Sequence, residues 1–288
     1  MYLSIFSTVI TGGTPEEVAH RTHGYGLRSV QFVPRGAELG VGFDTERAEG
    51  AEASFERWAQ AYRREGIEIC GVGGYLNILH PDFERRRRNI ETLKSYMRGM
   101  KALGCRYIST ETGTYAPTGD WDFDPRNRTP AAWEDLHRVT DELLAVAVQE
   151  NVVLLYEPYI VNVCSTPELG ATFVRDVNSE HLAMLMDPTN WFEADMVRPE
   201  LVRGVIERGF AAERGLFRLA HAKDVTPAAP GSRKPGLPGP GQGMLDYGTY
   251  VRLLKEHGYT GPLIIEHLHE PDIPDACRYV QGFIDRYS

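Results

Sequence analysis

VVLLYEP, residues Val152 to Pro158, decides how the chain is laid out. An unbroken apolar run suits a parallel strand covered on both faces, whereas a half-solvated strand alternates. The run then stops at a carboxylate, Glu157, and a proline. LIIEH, Leu263 to His267, has the same form and ends in Glu266. Working outward, short apolar runs recur at Tyr2–Val9, Ser29–Val33, Glu68–Val72, Arg106–Thr110, Leu182–Asp187 and Phe217–His221. Helical patterns separate them. One opens at Thr14-Pro15-Glu16-Glu17, and Phe55–Glu65 and Glu84–Leu103 stop at Gly66 and Gly104. Pro130–Gln149 runs out at Glu150-Asn151, and another helix opens at Thr166-Pro167-Glu168. Pro199–Glu213 and Tyr247–His257 follow, the latter closed by Gly258. Proline at the start and glycine past the end is the expected asymmetry of helices.

About eight strand–helix units in 288 residues predict an α/β fold, a (β/α)8 TIM barrel forming a single domain over residues 1–288. An open doubly wound sheet is the alternative, but TGGTPEE after the first strand is a poor match to a dinucleotide fingerprint. The Pro/Gly-rich segment PAAPGSRKPGLPGPGQG, 227–243, falls between a strand and its following helix. In a barrel it overhangs the functional mouth, so it is expected to be a loop covering substrate.

Thirty-one Lys and Arg against 40 Asp and Glu leave a formal charge of −9, the wrong sign for attracting nucleic acid. The basic run Arg85 to Arg88 reads as a solvated helix face. No apolar stretch approaches the ~18 residues that span a bilayer. MYLSIFSTVI reads as a first strand rather than a signal peptide. The four cysteines, Cys70, Cys105, Cys164 and Cys277, form no C-x-x-C pair. They point to a reducing cytoplasm rather than a disulfide framework or a zinc-cysteine site. A homo-oligomer is compatible with the sequence and not required by it.

Barrel enzymes carry their chemistry at the C-terminal ends of strands. Four successive strands here end in Glu157, Asp187, His221 and Glu266. Because side chains two apart share a face, Leu155, Leu185, Leu219 and Ile264 are expected in the layer beneath. Three carboxylates and an imidazole gathered together repel unless some take up protons or a cation sits among them. Three oxygens and a nitrogen suit one divalent ion: Mn²⁺, Mg²⁺, Co²⁺ or Zn²⁺.

The order E-P, D-P-x-N, H-x-K-D and then GQGMLDYGTYVRLLKEHGYTGPLIIE, Gly241 to Glu266, resembles the sugar phosphate isomerase/epimerase family of xylose isomerase-like barrels. NILHPD, with a long helix ending in LGCRYI, is similar to that family as well. The resemblance implies that Glu157, Asp187, His221 and Glu266 bind the metal. It also implies that Glu157 and Glu266 serve as paired acid and base on a small carbohydrate substrate. A metal holding a carbonyl and its neighbouring hydroxyl stabilises the enediolate left when the α-proton departs. One carboxylate takes that proton and the other returns it. Lys223 is a candidate for stabilising the developing charge, or a salt-bridge partner of Asp224 or Glu266.

Asn190 stands where epimerases of the family commonly carry histidine, so a lyase or dehydratase acting on a keto-sugar or keto-glycoside is the rival reading. An abasic-site endonuclease and a non-catalytic barrel subunit rank below both. Asn190, Glu111, His80, Asn162, Trp121 and Trp191 are candidate substrate contacts. His267 and His269 are left off the metal, with His267 expected to point away from the mouth if the strand continues through it.

Overall fold

The computed structural model describes residues 1–34, 51–232 and 234–287. Arg233, inside the expected covering loop, therefore lies outside the described residues. Eight strands follow one another around a closed parallel barrel: β1 (Tyr2–Phe6), β2 (Ser29–Phe32), β3 (Glu68–Gly73), β4 (Tyr107–Glu111), β5 (Val153–Glu157), β6 (Leu182–Met186), β7 (Phe217–Ala222) and β8 (Pro262–Ile265). Closure comes from β1 pairing with β8, from Tyr2 opposite Pro262 to Ile5 opposite Ile265. Every residue of β5 and β6 is buried, as their unbroken apolar runs require.

The helices between the strands are α1 (Pro15–Gly24), α2 (Ala51–Arg64), α3 (Phe83–Leu103), α4 (Pro130–Glu150), α5 (Pro167–Val177), α6 (Pro199–Ala212), α7 (Tyr247–Glu256) and α8 (Ile273–Arg286). Their starts are built by short polar side chains. Thr14 and Glu17 form a reciprocal capping box on α1, and Thr129 and Thr166 accept the amides of Ala132 and Leu169. Each such cap contributes about 1 kcal/mol. Asn151 and Asn178 end α4 and α5 in left-handed geometry, φ 54° and 47°, where asparagine replaces the usual glycine. The sequence pattern named no helix after β8. The reason is local, because α8 follows a short 3-10 turn and has no side-chain cap. Its buried Ile273, Ala276, Val280 and Ile284 nonetheless share one face at helical spacing.

Leu155, Leu185, Leu219 and Ile264 are all buried in the barrel. Packing there is tight: a Cβ on Gly71 would come within 2.9 Å of Leu219 Cδ1. β1 is shorter than the apolar run predicts. Ser7 begins a 3-10 turn, and its hydroxyl accepts the Val33 amide at 2.9 Å. This turn carries Thr8 and Val9 to the edge of a cavity at the mouth.

Candidate active site

The polar ends of β5 to β8 converge. Glu157 ends β5 and His221 is the last residue but one of β7, each on the face that carries Leu155 or Leu219 one step below. Asp187 follows β6 directly, and Pro188 starts a 3-10 turn that fixes it. One Asp187 oxygen, Oδ1, accepts both the amide and the hydroxyl of Thr189, at 3.0 and 2.7 Å. The other, Oδ2, faces His221 Nδ1 at 3.6 Å and Lys223 Nζ at 2.8 Å. Glu266 follows β8, and its amide still bonds to Ala222 of β7 at 3.2 Å. Its Oε1 meets His221 Nδ1 at 2.9 Å and Lys223 Nζ at 3.1 Å.

Glu157, Asp187 and His221 each offer a donor atom, all within 4.8 Å of one another. Glu266 lies beyond that trio and touches it through His221. Three atoms here, Asp187 Oδ2, His221 Nδ1 and Glu266 Oε1, are buried without a well-formed hydrogen bond. Buried polar atoms normally find partners, and unsatisfied ones in a native site call for an ion or a ligand. His221 presents Nδ1 to the carboxylates because its other nitrogen, Nε2, pairs with Gln31 Oε1 at 2.7 Å. Gln31 is steadied in turn by donating to Ser109 Oγ at 2.8 Å. This is how an imidazole is usually aimed at a metal. Two carboxylates and one oriented imidazole, with donor atoms within 4.8 Å of one another, fit a hard or borderline divalent cation.

The charges are strongly interdependent. Burial disfavours an imidazolium, but Glu266 and Glu157 outweigh it and raise His221 to about 10. Burial, aided by Asp187 and Glu266, lifts Glu157 to about 8 although His221 and Lys223 oppose it. Against burial, Lys223 and His221 bring Asp187 down to about 2. The same two cations hold Glu266 well below the usual carboxylate range despite its burial. His221 and Lys223 thus neutralise the carboxylates. Lys223 makes its ion pairs with Asp187 and Glu266. Asp224 turns the other way and accepts the amides of Val225, Leu245 and Gly241 at 2.8, 2.8 and 3.0 Å.

The family model of the xylose isomerase-like TIM barrels matches residues 20–286. The chain belongs to that family.

Solved structures resemble this xylose isomerase-like barrel over nearly its whole length. A xylose isomerase domain protein from Planctomyces limnophilus is 21% identical with a TM-score of 0.73, covering 99% of this chain and 97% of its own. The 3-keto-D-glucoside 4-epimerase of E. coli, in its apo form, is 14% identical with a TM-score of 0.70, covering 98% and 99%. A xylose isomerase-like TIM barrel protein from Mycobacterium smegmatis, in complex with magnesium, is 15% identical with a TM-score of 0.71, covering 100% and 98%. At these identities the likeness is one of fold. A search of the curated proteins finds no match.

In this xylose isomerase-like barrel Glu157 of the trio borders a cavity of about 360 Å³. Glu157, Lys223 and Glu266 line it, as do Asn190, Glu111 and Trp121 among the expected contacts. Asn190 also donates to Glu157 Oε1. Glu111 accepts the Trp121 indole N–H at 3.0 Å and the Asn162 amide at 2.6 Å, and burial lifts its carboxyl to about 7. Asn162 therefore sits behind Glu111, outside the cavity lining. His80 is also outside it: its Nδ1 accepts the Asp82 amide at 3.1 Å and so fixes the start of α3. Trp191 is buried against α6, so close that a Cβ on Gly209 would fall 2.0 Å from its ring.

His267 departs from expectation and lines the cavity. β8 has already ended at Ile265, and His267 adopts φ 60°, so strand alternation no longer sets its direction. Its Nδ1 lies 2.8 Å from the Leu237 carbonyl. Sequence reasoning also missed Gln31 and Tyr75. Tyr75, just past β3, donates to Glu157 Oε2 at 2.6 Å. The segment 227–243 contributes Leu237 to the lining, and Lys234 Nζ reaches the Trp121 carbonyl at 2.8 Å.

Proposed function

We propose that this protein is a divalent-metal-dependent isomerase or epimerase of a sugar or related polyol, acting by proton transfer next to a carbonyl. The observation that carries the reading is the convergence of buried donor atoms from Glu157, Asp187 and His221 within 4.8 Å of one another, with Glu157 and Glu266 lining the cavity. Glu157, Asp187, His221 and Glu266 would hold the ion, with Mn²⁺, Mg²⁺, Co²⁺ and Zn²⁺ as the candidates. When bound, such an ion polarises a carbonyl and its neighbouring hydroxyl and lowers the cost of removing the proton between them. Glu157 and Glu266 both reach the cavity and come from different strands, so one can remove that proton and the other return it to the opposite face or neighbouring carbon. Tyr75 and Asn190 orient Glu157, while His221 and Lys223 orient Glu266. The Lys223 ammonium is also placed to favour negative charge developing on substrate oxygen.

The segment 227–243 acts in this reading as a cover within a single catalytic domain, with Leu237 lining the cavity and Lys234 tying it to the β4 side. The free state of all four cysteines supports work in a reducing cytoplasm. The family relationship and the E. coli keto-glucoside epimerase of the same fold support a carbohydrate substrate.

Elemental analysis should find about one divalent ion per chain. Glu157→Gln and Glu266→Gln should each lower exchange of the substrate α-proton with deuterated solvent by about 10²–10⁴-fold while the fold persists. Full exchange in both variants would remove the carboxylates as bases. A product lighter than its substrate would make the enzyme a lyase.

A further inference from the structure

Resting on the function proposed above, we infer that the substrate is an uncharged, unphosphorylated polyol ketone whose hydroxyls away from the reacting carbon are received by Glu111. A phosphoryl group needs cations or free backbone N–H groups. The two basic side chains among the described residues lining the cavity are already engaged. Lys223 lies between Asp187 and Glu266, and His267 is turned to the Leu237 carbonyl, its Nδ1 2.8 Å from that oxygen.

Barrel enzymes commonly seat a phosphate in the loops after strands seven and eight. In this chain that cradle is filled from within. The Asp224 carboxylate takes the amides of Val225, Gly241 and Leu245, the donors a phosphate would use. A Cβ on Gly243 would come within 2.5 Å of Asp224 Oδ1, so no room remains beside it.

Glu111 marks the alternative chemistry. Trp121 and Asn162 each donate to one of its oxygens, which fixes the carboxylate in the wall with lone pairs to spare for hydroxyl donors. Trp121 and Tyr159 line the same cavity, and aromatic faces of this kind pack against the C–H face of a sugar.

The test uses metal-loaded protein at pH 8 and paired probes: free ketopentoses, free ketohexoses and keto-glucosides, each with its phosphate monoester. Binding is read by calorimetry and turnover by deuterium incorporation. At least one free member should bind and exchange, and its ester should bind at least about tenfold more weakly. Glu111→Gln should narrow that free-to-ester ratio, a change that loss of stability alone would not produce. An ester bound as tightly as its free partner, or a ratio unmoved in Glu111→Gln, overturns the inference while the proposed chemistry stands. Failure of every probe to bind or exchange overturns both.

Discussion

Strands β5 to β8 bring Glu157, Asp187, His221, Glu266 and Lys223 to the mouth, whereas β1 to β4 and their following turns bring Phe6, Val9, Tyr75 and Glu111. The first half is a knot of opposite charges, each held in its protonation state by the others. Among the described residues, the second is mostly neutral and shaped by rings. A reacting centre needs fields that strengthen where charge develops. A recognition surface needs contact area and a few fixed acceptors. The division lets one barrel provide both without placing competing charges beside the reacting atoms.

The contrast breaks most visibly if the charged half is unbalanced. Asp187→Asn keeps the shape but removes the partner of Lys223 at 2.8 Å and a counter-charge of His221. Leaving buried cations short of a partner costs about 3–5 kcal/mol. Urea denaturation in the presence of chelator should show that loss. Trp121→Phe, on the neutral side, should cost under about 1 kcal/mol, being half exposed at 43% and giving up one hydrogen bond. Equal losses in the two variants would mean that the halves are not energetically distinct.

How much of each half was legible in the sequence follows from the same physics. β5 to β8 are easily read because an ionisable residue ending an apolar strand conflicts with its surroundings, and four such conflicts in succession have one common resolution. The D-P-x-N and G-x-G-x-x-D patterns also have local causes: Thr189 holds one oxygen of Asp187, and Asp246 caps α7 through the Thr249 amide. The other half offers no comparable conflict. Phe6 and Tyr75 are ordinary residues for strand ends, and only the closed barrel brings them to the cavity. Gln31 did carry a signal, as a buried amide between Val30 and Phe32 of β2, but its partner lies 190 residues away. His267 was misjudged because alternation was extended one residue past the point where the backbone leaves the strand.

A second prediction concerns Glu111, the one carboxylate among the described residues of the neutral half that lines the cavity. Its folded-state value of about 7 exceeds the ordinary value, because burial penalises the charge. The folded protein therefore holds this proton more tightly than the unfolded chain. Stability from the group is full below the unfolded value and falls as pH rises from about 4.5 through about 7, after which it levels off. Glu111→Gln cannot titrate, so its stability relative to the parent should climb through that window by about 1–3 kcal/mol. A constant offset created by altered bonds to Trp121 and Asn162 leaves that slope unchanged. Thermal denaturation at intervals from pH 4.5 to 8.5 reads it directly, and a flat difference would show that Glu111 titrates as though solvated.

The smallest effect tests whether the neutral half serves the charged one. Gln31 belongs to β2, yet its carbonyl oxygen faces His221 Nε2 at 2.7 Å and so selects which imidazole nitrogen faces the carboxylates. Gln31→Leu preserves volume and strand character but removes that selection. The ring is then free to place its proton on Nδ1, where it blocks coordination, and metal affinity should fall about 10–100-fold. Gln31→Glu should act in the opposite sense on the tautomer, since a carboxylate accepts the Nε2 proton more strongly than an amide does. Calorimetric titration of the chelated protein with Mn²⁺ or Zn²⁺ separates the outcomes. Weakened binding in Gln31→Leu with retained binding in Gln31→Glu assigns the effect to orientation of His221. Equal weakening in both would instead trace it to disturbed packing around Ser109, the residue that holds the other end of the Gln31 amide.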